Sequence, residues 1–308
     1  MLNNKGLDNN NEGGLNNDDI KVEVEPSVHE DLEYSKSKKI SRELESAGYE
    51  VSIDSAKYYS KKDAEKSIQF IAEALSKSKS SQENANAYSV LGDVYTYWKQ
   101  HDLAVSNYRI SLQNINSELV QLKLAEAYKN NQSYQESLKT YSGINKRNLS
   151  NWQLIQLFEG QGDVYLLTKS YQEAIQAFQV GLTIAKEHVI TPKITDLNSK
   201  IAQTYGAKGE LENADVYFSR SMELANTQNK KRAVEEKIKV ADFKGEINDI
   251  PNEIELRKEA LNDLEDIATD SIFKNESSLT PQKQNYKIGR AYASQQDYGS
   301  AIPYLQKR

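Results

Sequence analysis

Along most of this chain the apolar residues fall at helical intervals. Ala64, Ile68, Ile71, Ala72 and Leu75 mark one face of a helix that opens at Asp63. Ahead of it, Leu32, Ile40 and Leu44 fit a weaker helix ending near Gly48, a candidate C′ residue. Asp54 reads as the cap of a short helix carrying Tyr58 and Tyr59. From Ala85 onward the pattern sharpens into pairs of helices, predicted over 84–98 with a second helix capped by Asp102, then 118–129 with 134–144, 152–168 with 171–187, and 195–207 with 211–225. The turn of the last pair falls at Gly209. A less regular pair follows: Val234, Ile238, Ala241 and Phe243 suggest its first helix, and Pro251 sits in the first turn of its second. The final pair is predicted over 282–294 and from Tyr298 onward. Residues 1–30 show no such pattern. They run from Asn, Gly and Asp into the acidic stretch Asp18–Pro26, with too little apolar surface to offset the entropy of ordering, and are expected to be disordered. The alternation of Ile20, Val22 and Val24 suits a short strand but has no visible partner strand.

Within the pairs one frame recurs. Gly92-Asp93-Val94-Tyr95 returns letter for letter as Gly162-Asp163-Val164-Tyr165. A small residue is followed after 3 positions by Tyr, after 9 more by another small residue, and after 4 more by an aromatic or large apolar residue. It runs through Gly92/Tyr95/Ala104/Tyr108, Ala125/Tyr128/Ser137/Tyr141, Gly162/Tyr165/Ala174/Phe178, Ala202/Tyr205/Ala214/Phe218 and Gly289/Tyr292/Ala301/Leu305. Between units the spacing is looser: Tyr95, Tyr128, Tyr165 and Tyr205 lie 33, 37 and 40 residues apart. Fixed spacing inside a unit and variable spacing outside it place the constraint in the contact between two antiparallel helices. The small residues allow close approach and the aromatics fill what remains, while length changes fall where one unit hands over to the next. Glu253 and Arg257 take the second small and the aromatic places in the irregular pair.

Composition narrows what such an array does. The 308 residues carry a net charge of -6, with Lys and Arg spread along the chain and no dense basic block, which argues against nucleic acid as a partner. There is no cysteine, hence no disulfide, thiolate metal site or Cys nucleophile. No apolar run reaches the length of a membrane span, and Met1-Leu2-Asn3-Asn4-Lys5 does not open a signal peptide. His29, His101 and His188 have no metal-ligand spacing, and no phosphate-binding Gly loop, nucleophile elbow or kinase core motif occurs. No catalytic residue, metal ligand or cofactor site is therefore assigned. The sequence carries no signal of oligomeric state.

The frame resembles the tetratricopeptide repeat, with Leu91-Gly92, Tyr95, Ala104 and Tyr108 as its closest match. The resemblance spans about 54–308. It implies an all-α fold, a right-handed α-solenoid of about six to seven helix-turn-helix units, some degenerate. The units are expected near 54–80, 85–117, 118–150, 152–188, 195–227, 230–267 and 282–308, within a helical region 31–308. Asn248 to Lys258 also resembles the degenerate repeat in the input regions of bacterial sensor histidine kinases. The last helix, from Ala301, is short beside its sisters, so the chain is expected to be a piece of a longer polypeptide.

The resemblance further implies that first helices line a concave face where a protein or peptide partner lies. On the frame Asp93, Glu126, Asp163 and Gln203 occupy one equivalent groove position, Glu159 lies a turn earlier, and Tyr97 and Asn130 lie near the rim. Stacked carboxylates suit a cationic peptide. The plainer alternative, which we prefer, is that they are solvated or paired with Lys or Arg on a neighbouring helix. The Lys and Asn set with which some such repeats grip a C-terminal carboxylate is absent from these positions. The function expected is a non-catalytic binding module, the sensory or interaction region of a larger signal-transduction protein of the two-component sensor-kinase type; the alternative is a structural scaffold. The compartment follows from that choice: extracytoplasmic for a sensor input region, cytoplasmic if the chain is complete.

Overall fold

The computed structural model describes residues 48–267 and 280–307. Among the described residues there are fourteen α-helices, one 3-10 turn and no strand. They pair as seven consecutive hairpins: α1 (Tyr49–Tyr59) with α2 (Ala64–Lys77), α3 (Ser81–Tyr97) with α4 (His101–Asn114), α5 (Glu118–Asn130) with α6 (Tyr134–Gly143), α7 (Asn151–Leu167) with α8 (Tyr171–Glu187), α9 (Thr191–Lys208) with α10 (Leu211–Gln228), α11 (Lys230–Glu246) with α12 (Ile250–Ile267), and α13 (Pro281–Ser294) with α14 (Tyr298–Gln306). Each second helix also packs on the first helix of the next hairpin, so the array is an α-solenoid. Gly48–Arg308 forms one compact unit; the segment 1–47, with its expected disorder, strand and early helix, lies outside the described residues.

The recurring frame is the steric register of each hairpin. A Cβ on Gly92 would overlap the Tyr108 ring, and one on Gly162 would overlap Phe178. Ala104, Ala174 and Ala214 are fully buried, and Tyr108, Tyr141, Phe178 and Phe218 are the largest buried side chains. Where serine takes the small place it also bonds across the hairpin: Ser137 donates to the Ala125 carbonyl at 2.7 Å, as Ser67 does to Ala56 at 2.8 Å. The core is thus a series of small clusters strung along the array. One gathers Ala104, Tyr108, Val120 and Leu124, and another Ile155, Phe178, Leu197 and Ile201. Each joins one hairpin to the next.

Six hairpins turn in the same way. Lys99, Gln132, Lys169, Gly209, Asn248 and Gln296 lie in the left-handed region, each two residues before the second helix begins. The following N–H closes the Schellman bond to the frame Tyr carbonyl, or to Lys244 in the irregular hairpin, at 2.8 to 3.0 Å. That geometry corrects two expected caps. Asp102 lies inside the first turn of α4, whose cap position is Gln100 with no side-chain bond. Asp54 lies in the middle of α1, which starts five residues earlier; Gly48, at φ -74°, precedes that helix in extended conformation instead of ending one. Five of the seven first helices open on side-chain caps, at Ser80, Ser117, Ser150, Asn229 and Thr280, as do the second helices α2 at Asp63 and α14 at Asp297; α1 and α9 do not.

Candidate functional site

Three of the first helices, α5, α7 and α9, lie side by side and carry most of the expected groove residues. The residue after the frame's first small position is aimed by the close helix contact beneath it. Its carboxylate meets the hydroxyl of the aromatic on the partner helix: Tyr108 donates to Asp93 Oδ1 at 2.8 Å, and Tyr141 to Glu126 Oε2 at 3.1 Å. Burial, reinforced by Asp93, pushes the Tyr108 hydroxyl far above the ordinary tyrosine range, and burial with Glu126 does the same to Tyr141. Both therefore stay protonated and donate to these carboxylates, and Tyr108 also lies 3.1 Å from the Thr96 hydroxyl. In the fourth hairpin Phe178 has no hydroxyl, and Asp163 depends on lysines instead.

Every carboxylate expected in the groove is ion-paired. Lys123 of α5 reaches back to Asp93 at 2.7 Å. Lys129 bridges Glu126 at 2.7 Å and Asp163 at 3.2 Å. Burial pulls the Lys129 ammonium down, but Glu126 and Asp163 outweigh it and hold the group above the usual lysine range. Lys200 of α9 pairs with Asp163 and lies 3.6 Å from Glu159, which also takes Lys193 at 2.6 Å. The same arrangement returns in the irregular hairpin, where Arg257 donates to Asp242 at 2.7 Å in place of a tyrosine and Lys287 of α13 pairs with Asp242.

Lys123, Lys200 and Lys287 lie three residues before the frame position of their own hairpins. The corresponding residue of α7 is Gly160, where a Cβ would overlap the Tyr141 hydroxyl. A cleft of about 360 Å³ opens there, lined by the apolar Leu119, Leu122, Tyr141 and Gly160 together with Gln156 and the paired Lys123, Glu126, Lys129, Glu159, Asp163 and Lys193.

The structure thus brings Glu126, Glu159 and Asp163 together through Lys129 and Lys200, while Asp93 pairs separately with Lys123, which lines the same cleft. Tyr97 is exposed beyond the cleft, Asn130 is half-buried beside the turn of its hairpin, and Gln203 lines a separate cleft with Phe243 and Lys239. The lysines and Gly160 were missed in sequence. A signal was present for two of these lysines: Lys123 and Lys200, like Lys287, lie three residues ahead of the groove position of their units. Among the described residues no group of acidic and histidine side chains is placed to hold a metal ion, and no helix is long and apolar enough to cross a membrane.

Fold and repeat geometry define the class: an α-solenoid of tetratricopeptide-like helical hairpins. The tetratricopeptide repeat family model matches residues 195–228 and 285–307, on α9–α10 and α13–α14. No curated protein matches the sequence. Solved structures share the fold at low identity. The apo form of RapI is 17% identical, with a TM-score of 0.58 over 84% of this chain and 95% of its own. Aspartyl phosphate phosphatase F from Bacillus subtilis is 15% identical, with a TM-score of 0.57 over 94% and 76%. PilW, a type IV pilus biogenesis factor, is 14% identical, with a TM-score of 0.56 over 75% and 96%.

Proposed function

We propose that this chain is a non-catalytic interaction module that takes a protein or peptide segment along its first helices, with an apolar side chain of that segment entering the cleft over Gly160. The observation that carries this reading is the cleft itself, whose apolar lining lies among charges that already neutralise one another. Charges already paired give little net attraction for a cation, so the apolar anchor supplies affinity and the paired charges supply register. Selection of short random peptides on the immobilised chain tests it. Bound peptides should share an apolar anchor, and Leu119→Lys, at a position already 47% exposed, should weaken them by at least about tenfold through loss of that anchor. Recovery of no peptide, or binding indifferent to Leu119→Lys, would sink the reading.

We place the module as the sensory or interaction region of a larger signal-transduction protein of two-component type. The support is the long repeat spacing and the resemblance of Asn248 to Lys258 to sensor-kinase input repeats. A gene encoding a membrane helix and kinase core on the same polypeptide is the expected finding; a scaffold gene with neither would overturn it.

A further inference from the structure

The turns of the first two hairpins carry a surface that the groove does not use. Tyr58 is 62% exposed, Tyr97 51% and Trp98 42%. They form one patch. The Trp98 indole N–H donates to the Ser60 carbonyl at 2.9 Å, which ties the two turns together, and its ring meets Tyr97 edge-on at 5.7 Å. Lys62 Nζ lies 3.3 Å from the centroid of the Tyr58 ring and Lys61 Nζ 5.7 Å from that of Tyr97. Lys99 follows Trp98 at the tip of the second turn.

Lys61, Lys62 and Lys99 have no carboxylate partner among the described residues, whereas the groove lysines are all paired. The acids nearest in the chain are engaged. Asp63 caps α2 and pairs with Lys66, and Asp102 accepts from Asn131. The equivalent turns of the third and fifth hairpins, Asn131-Gln132-Ser133 and Gly209-Glu210, have no aromatic side chain. An exposed cluster of amphipathic rings among free ammonium groups, on a protein of net charge -6, is a local departure from the rest of the surface.

We propose that this edge docks on an anionic lipid surface. The tyrosines and the tryptophan would sit at headgroup depth, where rings with one polar end are favoured, and Lys61, Lys62 and Lys99 would face lipid phosphates. Contact is peripheral, on a turn edge, and leaves the first-helix face open. The inference is independent of the groove reading.

The test is sedimentation of the full chain with phosphatidylcholine vesicles, alone or with about a third phosphatidylglycerol. The chain has two tryptophans, so Trp152→Phe leaves Trp98 as the sole indole reporter. Binding is expected to the anionic vesicles only, to weaken with salt, and to shift Trp98 emission to shorter wavelength. Lys61→Gln/Lys62→Gln/Lys99→Gln should weaken partitioning about a hundredfold while leaving the helical circular dichroism unchanged. Tyr97→Ser should weaken it with the charge intact. Failure to sediment, equal sedimentation with neutral vesicles, an unmoved Trp98 emission or an unaffected triple variant would each overturn the proposal. So would capture of a protein by this edge in the absence of vesicle binding.

Discussion

Glycine has opposite meanings at different places in this chain. At Gly92 the missing Cβ is occupied by the Tyr108 ring, so Gly92→Ala must displace a buried aromatic. We expect a loss of about 1–3 kcal/mol, read as a lower urea midpoint. At Gly143, the last residue of α6, nothing lies within 4 Å of an added Cβ. Gly143→Ala should be neutral or stabilise by up to about 1 kcal/mol, because it mainly removes freedom from the unfolded chain. The two buried hydroxyls give a pH signature. Tyr108 and Tyr141 have folded-state pKa values raised above the ordinary one. Their contribution is complete below about pH 10, where unfolded tyrosine begins to ionise, and is lost as pH rises towards the folded value. Melting temperature should therefore fall above about pH 10, and Tyr108→Phe/Tyr141→Phe should flatten that fall. An unchanged alkaline slope in the double variant would show that other groups control it.

At the scale of the element, the irregular hairpin replaces a steric contact with an ionic one. Arg257 is buried, donates to Glu253 at 2.8 Å and Asp242 at 2.7 Å, and reaches Gln284 of α13 at 3.2 Å. Arg257→Ala strands buried Glu253 and should cost about 3–5 kcal/mol. Glu253→Ala/Arg257→Phe restores the residue types of the other hairpins and should recover most of that loss in the same denaturation experiment. The hairpins were legible in sequence because their constraint is local and steric: glycine or alanine facing an aromatic at fixed offsets is the mark of two helices packed at close range. Helix starts were less legible. Side-chain caps mark most of the first helices, but α4, α6, α8 and α10 follow a backbone turn that leaves the cap residue's side chain unused, so Asp102 misled. The cleft was illegible for a different reason. It depends on what Gly160 lacks and on lysines from two helices, α5 and α9, none of them close in sequence to all the carboxylates they meet.

At the scale of the molecule, the described hairpins share no single core. Their clusters join neighbouring hairpins only, so stability is a sum of hairpin and interface contributions. Hydrogen exchange on Gly92→Ala should therefore show faster opening in α3–α5 while protection of α11–α13 is unchanged. Uniform loss of protection from α1 to α14 would contradict this and show one cooperative unit. The ion pairs between first helices tie adjacent hairpins but remain partly open to water, and each should contribute no more than about 1 kcal/mol. The shared turn has a consequence for how such a chain lengthens. Six hairpins reverse direction through one backbone shape, and the residue at its left-handed position is Lys, Gln, Lys, Gly, Asn or Gln. Since the shape tolerates all of these, a duplicated gene segment carries its own working reversal wherever it is inserted. Growth of the array by copying needs new residues only at the junctions, which are the places where the spacing between successive tyrosines drifts.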